Sequence, residues 1–86
     1  MPAIILPRLL LKGKTSSPLI VDPGSISDVL SFISAQFNIP KELFFKNHNT
    51  FSGGIALFCN GTMVLDPNYV LQENNVLEIV MAISGG

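Results

Sequence analysis

Apolar residues recur at helical spacing in one stretch of the chain, residues 25–37. Because side chains three or four positions apart share a helix face, these residues form a single apolar stripe. The stripe consists of Ile26, Val29, Leu30, Ile33 and Phe37. Ser25 is a favourable N-cap with Asp28 three residues later, whereas Asn38 and Pro40 disfavour continuation of the helix. The pattern predicts one amphipathic helix from Ser25 to Phe37.

Two short apolar runs before this helix predict strands. Residues 4–11 form the first run and residues 19–21 the second, and residues 12–18 between them are rich in turn-forming types. Pro7 interrupts the first run and predicts an edge position or a bulge, because proline has no N–H to donate to a sheet ladder. The triplet Asp22-Pro23-Gly24 predicts a turn into the helix. We therefore expect an N-terminal hairpin.

The chain after the helix is predicted to be mostly strand. Residues 55–59 and 62–65 flank Asn60-Gly61, a pair that tolerates the positive φ angles of a two-residue hairpin turn. Residues 69–71 read as a short extended segment, and residues 76–81 as a final strand rich in apolar side chains.

Residues 41–54 are the least regular part of the pattern. They place Phe44, Phe45 and Phe51 among polar residues and end in Gly53-Gly54. We interpret the segment as a connection that contains a helical turn. Its aromatic side chains are expected to seal the end of the core, and its glycine pair to form a turn or bulge before the next strand.

The order of these elements predicts the architecture. Strands that precede and follow one helix form a two-layer α+β domain, with the helix on one face of a mixed sheet of four to five strands. The crossover through the helix permits the first and last strands to pair in parallel, which puts the last strand in the centre. We expect residues 1–81 to form the domain and residues 82–86 to form a flexible tail.

Composition narrows the classes of function. Charged residues make up 13% of the chain, against about 25% in a typical soluble protein, which favours a surface that binds other proteins. The alternative is a small fold with an ordinary apolar surface. A net charge of −1 without a basic run argues against nucleic-acid binding. The apolar runs are too short to cross a membrane, and we expect a cytoplasmic protein.

The reactive side chains do not suggest an active site. Cys59 and His48 are each single in the chain, which disfavours an internal disulfide or a metal site. The two could in principle form a nucleophile and base, but a strand cysteine is more often a small buried apolar residue. We expect no metal and no permanently bound cofactor.

The chain ends with the sequence Ile83-Ser84-Gly85-Gly86. Because glycine lacks a Cβ atom, such a segment fits a narrow channel and presents a bare carboxylate. The alternative is an ending without any chemical role.

In this order, the elements resemble the ubiquitin-like β-grasp family, and within it the sulfur carriers: the small subunit of molybdopterin synthase, the thiamine-pathway carrier and related protein modifiers. The resemblance covers nearly the whole chain. The residues that carry it are the helix 25–37, the hairpin 57–64, the turn 71–76 and Gly85-Gly86. The segment between helix and hairpin is closer to the molybdopterin-synthase type.

The resemblance implies chemistry at the end of the main chain. A ubiquitin-activating-like adenylating enzyme would use ATP to activate the Gly86 carboxylate, and a sulfur donor would convert it to a thiocarboxylate. Residues 82–86 reach roughly 17 Å when extended. Ile83 would anchor this tail in the partner, Gly85 would keep the channel free of a Cβ atom, and Ala82 and Ser84 would contact the partner. A molybdopterin synthase large subunit is a further implied partner.

The docking surface is expected on the sheet face away from the helix. In the last strand, Leu77, Ile79 and Met81 alternate with Val76, Glu78 and Val80, so one set is core and the other outside. If the first set is core, Val76 and Val80 join Phe58 in an exposed patch. The alternative is that residues 41–54 cover that face.

Two departures from the family pattern leave the pathway open. Asn74-Asn75 replaces the usual Gly-Asp, and residues 81–84 lack a proline before the glycines. Besides the sulfur carrier, the sequence is compatible with a modifier joined to lysines through Gly86, or with a β-grasp interaction module that does no chemistry.

Overall fold

The computed structural model describes residues 1–11 and 18–81 of the chain. The helices in this part are α1 (Arg8–Leu11), α2 (Ile26–Phe37) and a 3₁₀ helix (Lys41–Leu43). The strands are β1 (Ala3–Ile5), β2 (Leu19–Ile20), β3 (Gly24–Ser25), β4 (Phe45–Asn47), β5 (Thr50–Phe51), β6 (Ile55–Cys59), β7 (Thr62–Val64), β8 (Val70–Leu71) and β9 (Val76–Met81). No helix in the described ranges has the length and apolar character needed to span a membrane.

Helix α2 begins and ends at the residues that the sequence indicates. The Ser25 hydroxyl accepts a hydrogen bond from the Asp28 N–H at 3.1 Å, which satisfies one of the free donors at the helix start. Asn38 adopts the left-handed conformation (φ 57°) and ends the helix, and its N–H donates to the Ser34 carbonyl. The predicted helix is confirmed.

The main sheet has five strands in the order β2-β1-β9-β6-β7. Strands β1 and β9 are parallel, with Ile4 opposite Leu77, and the other neighbours in the sheet are antiparallel. The predicted mixed sheet, with the last strand in its centre beside the first, is therefore confirmed. Asn60 (φ 50°) and Gly61 (φ 87°) form the predicted turn between β6 and β7.

The core lies between α2 and one face of this sheet. Helix residues and alternate strand residues meet there, and the side chains of Ile4, Leu30, Ile33, Leu57 and Leu77 are at most 1% exposed. Such close packing is what a domain of this size needs in order to fold alone. The α+β class is confirmed, with α2 on one face of the sheet.

The predicted strand over residues 4–11 is wrong beyond Ile5. The strand ends before Pro7, and helix α1 follows, with the Leu10 N–H bonded to the Pro7 carbonyl at 3.1 Å. Proline fixes a φ angle that suits the start of a helix, which favours this change of direction. The edge position inferred from Pro7 is also wrong, because β1 lies between β2 and β9.

Residues 41–54 contain the predicted helical turn and also an unpredicted small hairpin. Strands β4 and β5 pair with a register shift, and the rings of Phe45 and Phe51 stack with centroids 6.1 Å apart. The Phe44 side chain is completely buried, so the predicted role of these aromatic residues in sealing the core is confirmed. The predictions for residues 12–17 and 82–86 lie outside the described residues.

Candidate functional site

The described part of the chain ends with Met81, the last residue of the central strand β9. Strand β9 is flanked by β1 and β6, and its last pairs join Val80 to Ala56 and Met81 to Ile55. Pairing with β1 ends at Glu78, whereas pairing with β6 continues to Met81 and fixes the position of this residue. The candidate site residues Ala82, Ile83, Ser84, Gly85 and Gly86 come next in the sequence and lie outside the described residues.

The two sides of β9 differ sharply in burial. Leu77 and Ile79 are 0% and 2% exposed, and Met81 packs partly buried against the same core. On the other side, Val76 and Val80 are 39% and 42% exposed. Leu77, Ile79 and Met81 therefore form the core side of β9, and the exposed patch is formed by the other side, as expected from the sequence.

The side chains on the opposite face form what we call the outer sheet face. Its members follow from the strand registers: Ala3, Ile5, Ile20, Ala56, Phe58, Met63, Val76, Glu78 and Val80. Phe58 is half-buried and lies opposite Met63 on β7 and Glu78 on β9. The structure thus brings two of the candidate partner-binding residues, Phe58 and Val80, onto one surface.

Residues 41–54 do not cover the outer sheet face. Phe44, Phe45 and Phe51 pack into or against the core, on the side of the sheet that α2 covers. Val76, Val80 and Met63 remain exposed on the other side. The alternative in which this segment shields the patch is therefore wrong. An exposed contiguous apolar surface of this kind is typical of a protein–protein interaction site.

The side chains capable of nucleophilic or acid–base chemistry are held apart from this surface. Cys59 is buried on the core side of β6, and His48 is exposed in the turn between β4 and β5. The negative charge that a Cys59 thiolate would carry raises the pKa of Tyr69, and a hydrogen bond between the two side chains adds to the shift. Within residues 1–11 and 18–81, no three His, Cys, Asp or Glu side chains cluster as metal ligands would.

A groove of about 310 Å³ runs along the exposed side of α2 and the edge strand β2. Its apolar lining includes Val29 and Phe32 of α2, and its carboxylates are those of Asp22 and Asp28. Among the described residues that line the groove, these carboxylates have no histidine, cysteine or lysine beside them, and we assign no chemistry to the groove.

Comparison by sequence finds no relatives: neither a protein-family model nor a curated protein matches the chain. Comparison by structure does. A chain in the crystal structure of the Amycolatopsis orientalis BexX/CysO complex superimposes with a TM-score of 0.82 over 100% of both chains, at 14% sequence identity. The chain has the ubiquitin-like β-grasp fold.

A second solved structure with the same fold is that of SAMP1 from Haloferax volcanii. It covers 99% of this chain and 98% of its own, with a TM-score of 0.72 and 16% identity. The resemblance to the β-grasp family that the sequence motifs indicate is thus confirmed as a likeness of fold. At such low identity, fold is what the likeness shows.

Sequence reasoning missed part of the candidate surface. Ile5, Ile20 and Met63 also open onto the outer sheet face, although they belong to three different strands. Alternation along each strand separates inner from outer residues, but it does not say which strands are neighbours. The registers of β1, β2 and β7 supply that information.

Proposed function

We propose that this protein is a sulfur carrier whose reactive group is the α-carboxyl of Gly86. The observation that carries the proposal is positional: the Gly85-Gly86 pair follows, after a short spacer, the central strand of a ubiquitin-like β-grasp domain. A folded domain whose last strand is followed by a short segment ending in two glycines is suited to place a main-chain carboxylate inside another protein.

The reaction needs no side chain of this protein. The Gly86 carboxylate attacks the α-phosphorus of ATP on the adenylating enzyme, which forms an acyl adenylate and releases pyrophosphate. Hydrosulfide from a sulfur donor then attacks the acyl carbon and displaces AMP, which leaves a thiocarboxylate at Gly86. The role of the carrier is to bind and to position its end.

Binding to the partner is assigned to the outer sheet face together with the tail. Val80 is exposed one residue before the end of β9, and Phe58 is half-buried on the neighbouring strand β6, so both can provide apolar contacts. Ordering each tail residue costs about 1–2 kcal/mol, so docking of the domain has to supply a compensating free energy. We assign Ile83 as the tail anchor, Ala82 and Ser84 as further tail contacts, and Gly85 as the residue that passes the narrowest point.

Within this class, we propose the role of a molybdopterin-synthase small subunit, with a larger synthase subunit as the second partner. The support is the folded segment 41–54, whose 3₁₀ turn and β4–β5 hairpin lengthen the region between helix and main hairpin. The BexX/CysO structure provides a precedent for a chain of this fold in a complex with another protein. The need for ATP fits the cytoplasmic location that we predicted.

Intact-mass spectrometry tests the proposal. The protein is incubated with the adenylating enzyme of its own organism, ATP and a sulfide source, and we expect the mass gain of one oxygen replaced by sulfur. Deletion of Gly86, or addition of one alanine after it, should abolish the gain without changing the fold. An unchanged mass with active enzyme would contradict the proposal.

Detection of conjugates in cell lysates, together with the sulfur assay, separates the alternatives. A protein modifier would be adenylated and then appear in cell lysates as heavier conjugates that disappear when Gly86 is deleted. An interaction module that does no chemistry would show neither the sulfur form nor conjugates, and it would keep its function after the extra alanine is added.

A further inference from the structure

The outer sheet face is apolar except at its centre. Glu78 on β9 has Ile5 of β1 in register on one side and Phe58 of β6 on the other. Along its own strand, Val76 and Val80 are the nearest residues on the same side. Among the described residues that form this face, Glu78 is the single ionisable one.

This carboxylate is exposed in the isolated domain and would lose water upon docking. Its strand neighbours on either side are hydrocarbon, and none of them carries a cation or a hydrogen-bond donor in its side chain. A carboxylate buried against an apolar partner surface would be left unpaired, which is strongly unfavourable. A docked partner satisfies this carboxylate most favourably with a positive group, because a cation forms a charge-assisted hydrogen bond with it.

We propose that Glu78 is a specificity-determining residue, and that the partner of the outer sheet face places one arginine or lysine against it within an otherwise apolar contact. The inference rests on the proposed function, which supplies both the docking surface and the adenylating enzyme as its partner. Charge complementarity selects the partner, because surfaces without a cation at that point are penalised.

The same carboxylate disfavours association of two copies of this chain. A two-fold contact between outer sheet faces is isologous, so residues near the centre of one face meet the same residues of the other. Glu78 lies on the central strand, and a face-to-face pair would bring two carboxylates together without a cation. Glu78 therefore disfavours self-association and leaves the outer sheet face available to a partner that carries a cation.

Binding measurements test whether the partner places a cation against Glu78. The probe is the adenylating enzyme of the same organism, titrated by calorimetry with wild type, Glu78→Asp, Glu78→Gln and Glu78→Lys. We expect Glu78→Gln to weaken binding about 30-fold and Glu78→Lys more than 100-fold, whereas Glu78→Asp keeps most of the affinity. Binding of the wild type should also weaken more steeply with salt than binding of Glu78→Gln.

Glu42→Lys is the matched control, because Glu42 is an exposed carboxylate of the 3₁₀ helix outside the sheet. It should bind as the wild type does. If Glu78→Lys also binds like the wild type, the inference is overturned, while the sulfur mass gain at Gly86 can still be observed. The two proposals therefore fail separately.

Sedimentation velocity tests whether Glu78 prevents self-association of this chain. The measurement needs no partner protein. Wild type and Glu42→Val should remain monomeric, and Glu78→Val should self-associate with increasing concentration, with equal urea midpoints confirming that all three are folded. A wild type that dimerises through this face, or a Glu78→Val variant that stays monomeric under the same conditions, overturns the inference.

Discussion

The two sides of strand β9 differ in environment, because one side faces the core and the other faces solvent. Leu77 and Ile79 are buried against α2 and hold the domain together, whereas Val76 and Val80 are of similar chemistry and remain exposed. Burial of a large apolar side chain contributes about 1.5–3 kcal/mol to stability, and exposed apolar side chains contribute little. The exposed valines are therefore available for contact with a partner.

The contrast separates the domain into a stable support and a contact surface. Substitutions on the core side should change the free energy of unfolding, and substitutions on the outer side should change partner binding. A substitution that changed the free energy of unfolding and partner binding equally would contradict this division.

The largest effect is expected from Leu77→Ala. The side chain is completely buried between Ile4 on β1 and Cys59 on β6, so its removal leaves a cavity in the core. We expect a loss of about 3 kcal/mol in the free energy of unfolding, measured by urea denaturation. Val76→Ala on the exposed side is the control, with an expected loss below about 1 kcal/mol. Equal losses for the two variants would contradict the division.

The next effect is expected from Val80→Asp. It adds a second carboxylate to the outer sheet face near the start of the tail, and it removes an apolar contact. Binding to the adenylating enzyme should weaken by about 2 kcal/mol, or roughly 30-fold in Kd, while the urea midpoint stays close to that of the wild type. Full-strength binding would show that the partner does not use this surface.

A smaller effect is expected from Ser25→Ala. The variant removes the side-chain oxygen that accepts the hydrogen bond from the Asp28 N–H at the start of α2. Loss of such a cap costs about 1 kcal/mol of stability. Calorimetric binding to the partner should not change, because α2 lies on the opposite side of the sheet. Weaker binding by this variant would mean that the partner also contacts the helix.

The smallest effect is expected from Tyr69→Phe and only at alkaline pH. The pKa of Tyr69 is raised above its ordinary value of 10.0, chiefly by Cys59, so the folded state favours the protonated phenol. This contribution is complete below the ordinary pKa and is lost as the pH rises through the raised value. The difference between the urea midpoints of wild type and variant should stay constant up to about pH 9, and the wild-type midpoint should fall relative to that of the variant above about pH 10. A difference confined to acid pH would contradict the assignment.

Local signals made the helix and the main hairpin predictable. Ser25 and Asn38 mark the two ends of α2, and Asn60-Gly61 fixes the turn between β6 and β7. Each of these signals acts within a few residues and needs no knowledge of distant contacts. The position of β9 in the sheet followed from the order of elements, which limits the available topologies.

The remaining features depend on tertiary contacts. The apolar run over residues 4–11 suits a strand or a helix equally, and Pro7 divides it between β1 and α1. The β4–β5 hairpin lacks alternation, because Phe45 and Phe51 pack on the core while the residues between them are exposed. The place of Glu78 among Ile5 and Phe58 depends on strand register, which no local pattern encodes.

The central claim is that the Gly86 carboxyl is the reactive group. The most direct measurement is mass spectrometry of the C-terminal peptide of this protein, isolated from its own organism under conditions that preserve thiocarboxylates. We predict a peptide that ends at Gly86 and in which a fraction of the molecules carries sulfur in place of one carboxyl oxygen. A peptide that continues beyond Gly86, or one that ends there and never carries sulfur, would contradict the account.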